Sequence, residues 1–314
     1  MIGRFRIALA VSAAALIFAP AGASAWHAAG HMMVAAVAWD QMTPAARARA
    51  TALLKLNPDY DKWIAGIADD AKDKTAFVRA AVWPDDIKNK LTHPASIDDG
   101  EDPTNPNAAA NLGYSDKLMH KYWHYIDLPF STDKTKLIQP KSPNAETQIK
   151  AFRDTIAAPS ASDDVKSYDV TWLIHMVGDV HQPLHATSRF SKLHPKGDAG
   201  GNLVIVKCLP NCGRNLHSFW DGLEDANQNP QAAIAAAAKL KKATGPAVGK
   251  TDPRVWITES FEIAKKSVYR APIGTTNKTF TITAAYKKDA TKIGKERIAL
   301  GGARLAKLFN DAFK

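Results

Sequence analysis

Four side chains able to hold a metal ion, His175, Asp179, His181 and His185, fall within eleven residues, and no other window of the chain is so dense. If residues 163–180 are helical, His175 and Asp179 lie one turn apart on the same face. Pro183 and Leu184 then lead the chain out of the helix and return His185 from another direction. One helix end could serve two ions in this way. Taken singly, each of these residues is as well explained by a buried helix with a satisfied histidine, because spacing alone seldom identifies a ligand. A second pair at the same spacing, His217 and Asp221, makes coincidence harder to accept.

Further candidates lie upstream. In Trp83-Pro84-Asp85-Asp86-Ile87-Lys88 a proline after a helical stretch interrupts the backbone and leaves the Asp85 carboxylate free to turn inward, although an isolated aspartate is usually solvated. His120 and His124 are spaced for a zinc pair on a helix, while the aromatics around them and Pro129 equally suit a helix end near His124. Imidazole and carboxylate without thiolate suit zinc and, on ligand type alone, manganese or iron. Nine ligating residues, Trp26, His31, Asp85, His124, His175, Asp179, His185, His217 and Asp221, are too many for one tetrahedral ion, so two or three are needed. Ions about 3.5–4 Å apart are the usual arrangement for phosphoester displacement.

The elements that must position these residues read as mostly helical. Helices are expected from Trp26 into the core past His31, over 45–56 behind the Thr43-Pro44 start, and over 63–80, 145–156 and 163–180. Three more are expected over 230–243, 254–269 and 284–313. Ile298, Leu300, Leu305, Leu308 and Phe309 are core candidates of the last helix, and Gly301-Gly302 within it suggests close packing against a neighbour. Residues 93–111 and 130–144 read as loops and Gly197 to Asn202 as a turn region, with a short strand over 203–206. Cys208 and Cys212, the only cysteines, are expected to form a disulfide stapling a small hairpin. No repeat or linker divides the chain.

Residues 1–25 read as a secretory signal, with Arg4 and Arg6, an apolar run from Ile7 to Ala19, and a small-residue cleavage site at Ala23-Ser24-Ala25. No other apolar run is long enough to span a bilayer, so a soluble exported protein, periplasmic or secreted, is expected. Cleavage after Ala25 would make Trp26 the first residue, whose free amine and carbonyl can together chelate a metal. Of the 314 residues 46% are hydrophobic, enough for a sizeable core. The formal charge of +10 falls by two with Arg4 and Arg6 to +8, which accords with a polyanionic partner without establishing one.

Trp26-x4-His31, Trp83-Pro84-Asp85, His124-Tyr125-Ile126-Asp127, His175-x3-Asp179-Val180-His181-Gln182-Pro183-Leu184-His185, Gly200-Gly201-Asn202 and His217-x3-Asp221 together resemble the zinc-dependent, single-strand-specific type I nucleases (the nuclease S-one/P-one family). The resemblance runs from Trp26 to the last helix. It implies an all-α single domain over 26–314, of the phospholipase C/type I nuclease kind, with three zinc ions in a cleft and a monomeric state. It further implies hydrolysis of single-stranded DNA and RNA to 5′-phosphates, with 3′-nucleotidase activity. By position, Asp85, His124, His175 and Asp179 would hold one zinc, and the Trp26 terminus with His31 and Asp179 a second. His185, His217 and Asp221 would hold the third.

Asp85, Lys88 and Asp179 would then be catalytic, with Lys88 steadying the phosphoryl oxygens where some members carry arginine. Tyr125, Asp127, Lys88 and Asn202 would touch substrate, although Tyr125 and Asp127 alone read as a core aromatic and a turn residue. A zinc phospholipase C also begins on tryptophan. The short spacing from Trp26 to His31 and the aspartate at 221, where a glutamate is expected in the lipase, argue against it. A non-enzymatic exported zinc-binding protein is the other alternative.

Overall fold

The computed structural model describes residues 26–209, 212–224 and 229–314. The expected signal, residues 1–25, lies outside them. The architecture centres on helix α7 (Asp163–Asp179), which Ser162 caps by accepting from the Val165 amide and which carries Asp163 and Asp164 in its first turn. From Lys166 to Asp179 every residue is buried, so the helix has no solvent face and is packed on all sides.

Around it stand α1 (Ala28–Gln41), α2 (Pro44–Leu54), α4 (Asp69–Ala80), α6 (Ala145–Ala157) and α11 (Ala284–Ala312). The longest of these, α11, runs against α1 at Gly302. A Cβ there would lie 2.6 Å from Val37 Cβ and 2.7 Å from the Val34 carbonyl oxygen, so the two backbones can approach only over a glycine. The close packing expected of Gly301-Gly302 is thus present. The chain is mostly helical, and among the described residues no helix is long and apolar enough to cross a membrane.

Several expectations need correction. The helix expected over 63–80 is two, α3 (Tyr60–Ile64) and α4, separated at Gly66, whose φ of 73° no helix accommodates. Segment 130–144 is not wholly loop, because β1 (Pro129–Ser131) pairs in parallel with β2 (Ser188–Phe190). The strand expected over 203–206 shrinks to β3 (Val206–Lys207), whose partner is the distant β4 (Phe280–Thr281), again in parallel. Of the hairpin there remains one antiparallel bridge, Ile205 with Asn215, around the Cys208–Cys212 disulfide. The remaining helices are α5 (Trp83–Asp86), α8 (Leu216–Asp221), α9 (Pro230–Ala237), which ends short of the expected 243, and α10 (Pro253–Ile263), which loosens into a π turn over Ala264–Val268.

Candidate metal centre

The last turn of α7 carries His175 and Asp179, both without solvent exposure. The Nδ1–H of His175 donates to the Ala81 carbonyl at 2.7 Å, which leaves its Nε2 lone pair directed inward. Ala81 ends α4, so the same bond ties α7 to the turn that starts α5. There Asp85 takes Lys88 Nζ at 2.8 Å and points Oδ1 at His124 Nδ1 and His175 Nε2, 3.9 Å from each. Burial alone would raise the Asp85 pKa, but the charges of Lys88, His175 and His124 hold it below the usual carboxylate range.

His124 follows the short turn Lys121–Trp123 and sets Nδ1 2.9 Å from His175 Nε2 and 3.1 Å from Asp179 Oδ2. Its other ring nitrogen, Nε2, is buried without a hydrogen-bond partner. His120 does not join it. With φ at 45°, the chain there turns left-handed, and the His120 ring stacks on Trp123 at 3.5 Å while Nε2 meets Asp116 at 2.8 Å. The two histidines therefore share no helix face.

The second group forms where α1 meets the end of α7. His31 stacks on His175 with ring centroids 3.8 Å apart, and its Nε2 lies 3.2 Å from Asp179 Oδ1. That approach is off the hydrogen-bond axis, so both His31 nitrogens and Asp179 Oδ1 remain unpartnered. Buried polar atoms without partners are costly, and their convergence fits ligation by a cation. Gly178 makes the approach possible, since a Cβ there would stand 2.8 Å from His31 Nδ1.

Trp26, fully buried, donates its indole N–H to the Gly178 carbonyl at 3.2 Å, and its ring lies close to Gly30 and Gly294. The amide of His27 donates to the Asp221 carbonyl at 3.0 Å. These bonds anchor the main chain at Trp26 and His27 to the carboxyl ends of α7 and α8.

The third group brings together His185, in the turn Pro183–Ala186, and His217 and Asp221 of α8. His185 Nδ1–H donates to the His124 carbonyl and His217 Nδ1–H to the Gly200 carbonyl, each at 2.8 Å. Their Nε2 atoms face each other at 2.9 Å. Burial lowers the pKa of both, that of His217 to about 3 with the help of the His185 charge, so near neutral pH both rings are uncharged. Two lone pairs so close repel unless a cation lies between them.

Asp221 accepts from Gln182 Nε2 at 2.6 Å. Burial pushes its pKa well up; the Gln182 bond opposes the rise, whereas the charges of Asp85 and Asp179 add to it. Gly200, with φ at 59°, has no room for a Cβ, which would fall 2.5 Å from the Leu184 carbonyl.

Every residue expected to ligate through its side chain therefore falls into one of three adjacent groups, and Trp26 abuts them. Tyr125 and Asp127 line a separate cleft of about 180 Å³ with Glu101, Lys141, Phe190 and Lys196. The Tyr125 hydroxyl donates to the Glu101 carbonyl at 2.9 Å. Burial, with Asp198 and Glu101 nearby, pushes the Asp127 pKa up to about 7. Asn202 lies outside this cleft, held by the Ala199 carbonyl at 2.8 Å and by Asn215.

His181 turns away from all three groups. Its Nδ1–H donates to the Val177 carbonyl at 2.7 Å and its Nε2 accepts from Arg304 at 3.0 Å. Gln182, which donates to Asp221, was not among the expected site residues, nor were Arg297 and Arg304, which hold His181 through its carbonyl and its Nε2. The signal for the arginines was two cations seven residues apart among the apolar positions of the last helix.

A family model described as S1/P1 Nuclease matches residues 26–314, and with them all three groups. The chain belongs to the S1/P1 nuclease family. Curated relatives include Endonuclease 5 of Arabidopsis thaliana, 32% identical over 180 residues, which cover 50% of this chain and 56% of that protein. Endonuclease 4 of the same plant is 26% identical over 242 residues, 65% of this chain and 77% of the relative. Endonuclease 3 is 30% identical over 174 residues, 48% and 55% of the two chains. The chain thus spans little more than half the length of the first of these relatives. The histidines and aspartates described above are the groups that could hold a metal ion.

Proposed function

We propose that the chain is an exported, zinc-dependent endonuclease. It hydrolyses single-stranded DNA and RNA to 5′-phosphate products and acts on 3′-nucleotides as a 3′-nucleotidase. Residues 1–25 are removed and residues 26–314 form the enzyme. Asp85, His124, His175 and Asp179 hold one zinc, the Trp26 terminus with His31 and Asp179 a second, and His185, His217 and Asp221 a third. The observation that supports this reading best is the position of Asp179, whose Oδ1 faces His31 at 3.2 Å while Oδ2 faces His124 at 3.1 Å and His175 at 3.3 Å. A carboxylate so placed can bridge two ions.

When bound, the ions would supply Lewis acidity at the phosphoryl group and acidify water. The protein's own part is orientation. The Nδ1–H bonds of His175, His185 and His217 to backbone carbonyls fix their tautomers and aim each Nε2 inward. Lys88, held at the edge of the first group by Asp85, offers a point charge to a phosphoryl oxygen. Tyr125 offers a face on which a base can stack, worth about 1–3 kcal/mol, roughly what one unstacking step costs, so a base already free of a duplex is favoured. Asp127 reads the edge of that base, and Asn202 contacts substrate beside the third group.

The test is a substrate panel of single-stranded DNA, single-stranded RNA, duplex DNA, a 3′-mononucleotide and phosphatidylcholine, with metal quantified per chain. Cleavage of the single strands to 5′-phosphate ends supports the proposal. Hydrolysis of phosphatidylcholine alone would make the protein a phospholipase, and metal binding with no turnover a binding protein.

A further inference from the structure

Only the short link from Val180 to Leu184 separates Asp179, which faces the first two groups, from His185 of the third. This link is held by α10 and α11, two helices that supply none of the expected ligands. Past the end of α7 the carbonyls of Val180 and His181 have no further turn of helix to bond, and other donors must take them. Ser260 Oγ donates to the Val180 carbonyl at 2.5 Å, and Arg297 Nε donates to the His181 carbonyl at 3.2 Å. Both donors are buried.

The His181 ring is held as well. Its Nδ1–H is bonded back to the Val177 carbonyl, so Nε2 is left as an acceptor, and Arg304 fills it at 3.0 Å. A Cβ on Gly301 of α11 would stand 3.1 Å from His181 Cγ, so the glycine lets the ring sit tight against that helix. Glu259 of α10 joins the two arginines. Its Oε2 accepts from Arg297 at 3.0 Å and from Arg304 at 2.7 Å, while Oε1 accepts from Arg304 at 2.8 Å. Two buried guanidiniums would be uncompensated without that carboxylate. Arg297 Nη2 also donates to Ser260 Oγ at 2.9 Å, which makes one connected network of Glu259, Ser260, Arg297 and Arg304.

From the link, position is passed on to the third group. Gln182 donates through Nε2 to Asp221 Oδ1 and accepts from the Leu184 amide through Oε1, each at 2.6 Å. Asp221 and His185, two of the third group's three ligands, are thus referred to the clamped backbone at Val180 and His181. The first two groups take their side chains from α1, α5, the turn before His124 and α7 itself, and none of these lies on the link.

We propose that Glu259, Ser260, Arg297 and Arg304 are positioning residues that set where the third ion stands relative to the pair on Asp179. The inference rests on the three-ion reading of the centre. Removing a partner that orients a ligand typically weakens metal binding by about 10–100-fold, and a clamp acting through one further residue belongs at the low end of that range.

The test compares wild type, Ser260→Ala, Arg304→Gln and, as a control on α11, Asn310→Ala, whose bonds to Thr43 and Gln41 are no part of the network. Each zinc-loaded protein is titrated with competing chelators to obtain its zinc affinities. Ser260→Ala and Arg304→Gln should hold one zinc about tenfold more weakly and the other two within twofold of wild type. In an Asp221→Asn background, which has already released the third ion, Ser260→Ala should weaken nothing further. Unchanged affinities in both variants would overturn the positioning role. So would an equal fall in all the affinities, because loss of packing acts on the whole fold, or the same single-ion loss in Asn310→Ala. A wild type that takes up fewer than three zinc ions would instead overturn the three-ion reading beneath it.

Discussion

His185 and His217 turn their Nε2 atoms towards each other at 2.9 Å although each ring has committed its Nδ1 proton to a backbone carbonyl. Neutral imidazoles in that geometry repel, so a divalent cation binding there stabilises the folded chain by mass action. A ligand at about a thousand times its dissociation constant contributes about 4 kcal/mol. Exhaustive chelation should therefore lower the melting temperature by several degrees, with zinc restoring it. Scanning calorimetry with and without chelator checks this, and coincident transitions would contradict it.

The position of Asp179, with Oδ1 towards His31 and Oδ2 towards His124 and His175, gives a second expectation. Asp179→Asn should remove metal from two groups and reduce turnover by at least about a hundredfold, in line with the loss of groups that orient a metal centre. Asp221→Asn should release one ion and leave the other two. Metal content and rate of both variants decide the matter, and an Asp179→Asn protein with full metal content would count against the bridge.

Trp26 leads to a third. Its indole is fixed by the Gly178 carbonyl at 3.2 Å, so the main chain beside it is held against the second group. Protein beginning at Trp26 should bind its full complement of metal. A form with one additional residue ahead of Trp26 acylates the amine and should lose one equivalent and most activity. Equal metal content in the two would refute a role for the terminus.

The fourth concerns stability and pH at a buried carboxylate of α7 outside the three groups. Asp169 is fully buried on α7, and burial pushes its pKa up to about 8, against the Asn111 bond that lowers it. From the ordinary carboxylate pKa of about 4 up to that value the folded state holds a proton that the unfolded state has lost. Stability should accordingly fall as pH rises through this window, by at most about 1.4 kcal/mol per unit from this residue. Asp169→Asn keeps the shape and the Asn111 contact, so it should be more stable than wild type at pH 7 and show a flatter pH dependence. Urea midpoints at pH 5, 6, 7 and 8 measure it, and parallel curves for the two proteins would contradict it.

The helical pairs were legible because the period of a helix is local. His175 with Asp179 and His217 with Asp221 need only one turn each, and both turns are present. What escaped the sequence depends on partners far along the chain. β1 pairs with a strand 59 residues away over three positions, too short a run for any pattern to declare itself. His181 resembles its neighbours in the motif, yet Arg304, 123 residues on, claims its free nitrogen and turns it from the metals. The choice between His120 and His124 hung on one left-handed residue, His120 itself, a conformation no apolar periodicity announces. The break at Gly66 was a glycine in an otherwise helical stretch, and only its positive φ shows that it ends α3.

The central claim is that the three buried groups hold the ions that make this chain a nuclease. It is tested most directly by stripping the purified protein of metal, titrating zinc back, and following single-stranded DNA cleavage and bound metal together. Activity should be absent in the stripped protein and return as the groups fill, with 5′-phosphate ends on every product. Full cleavage by the metal-free protein, or no cleavage once all three groups are filled, would contradict the claim.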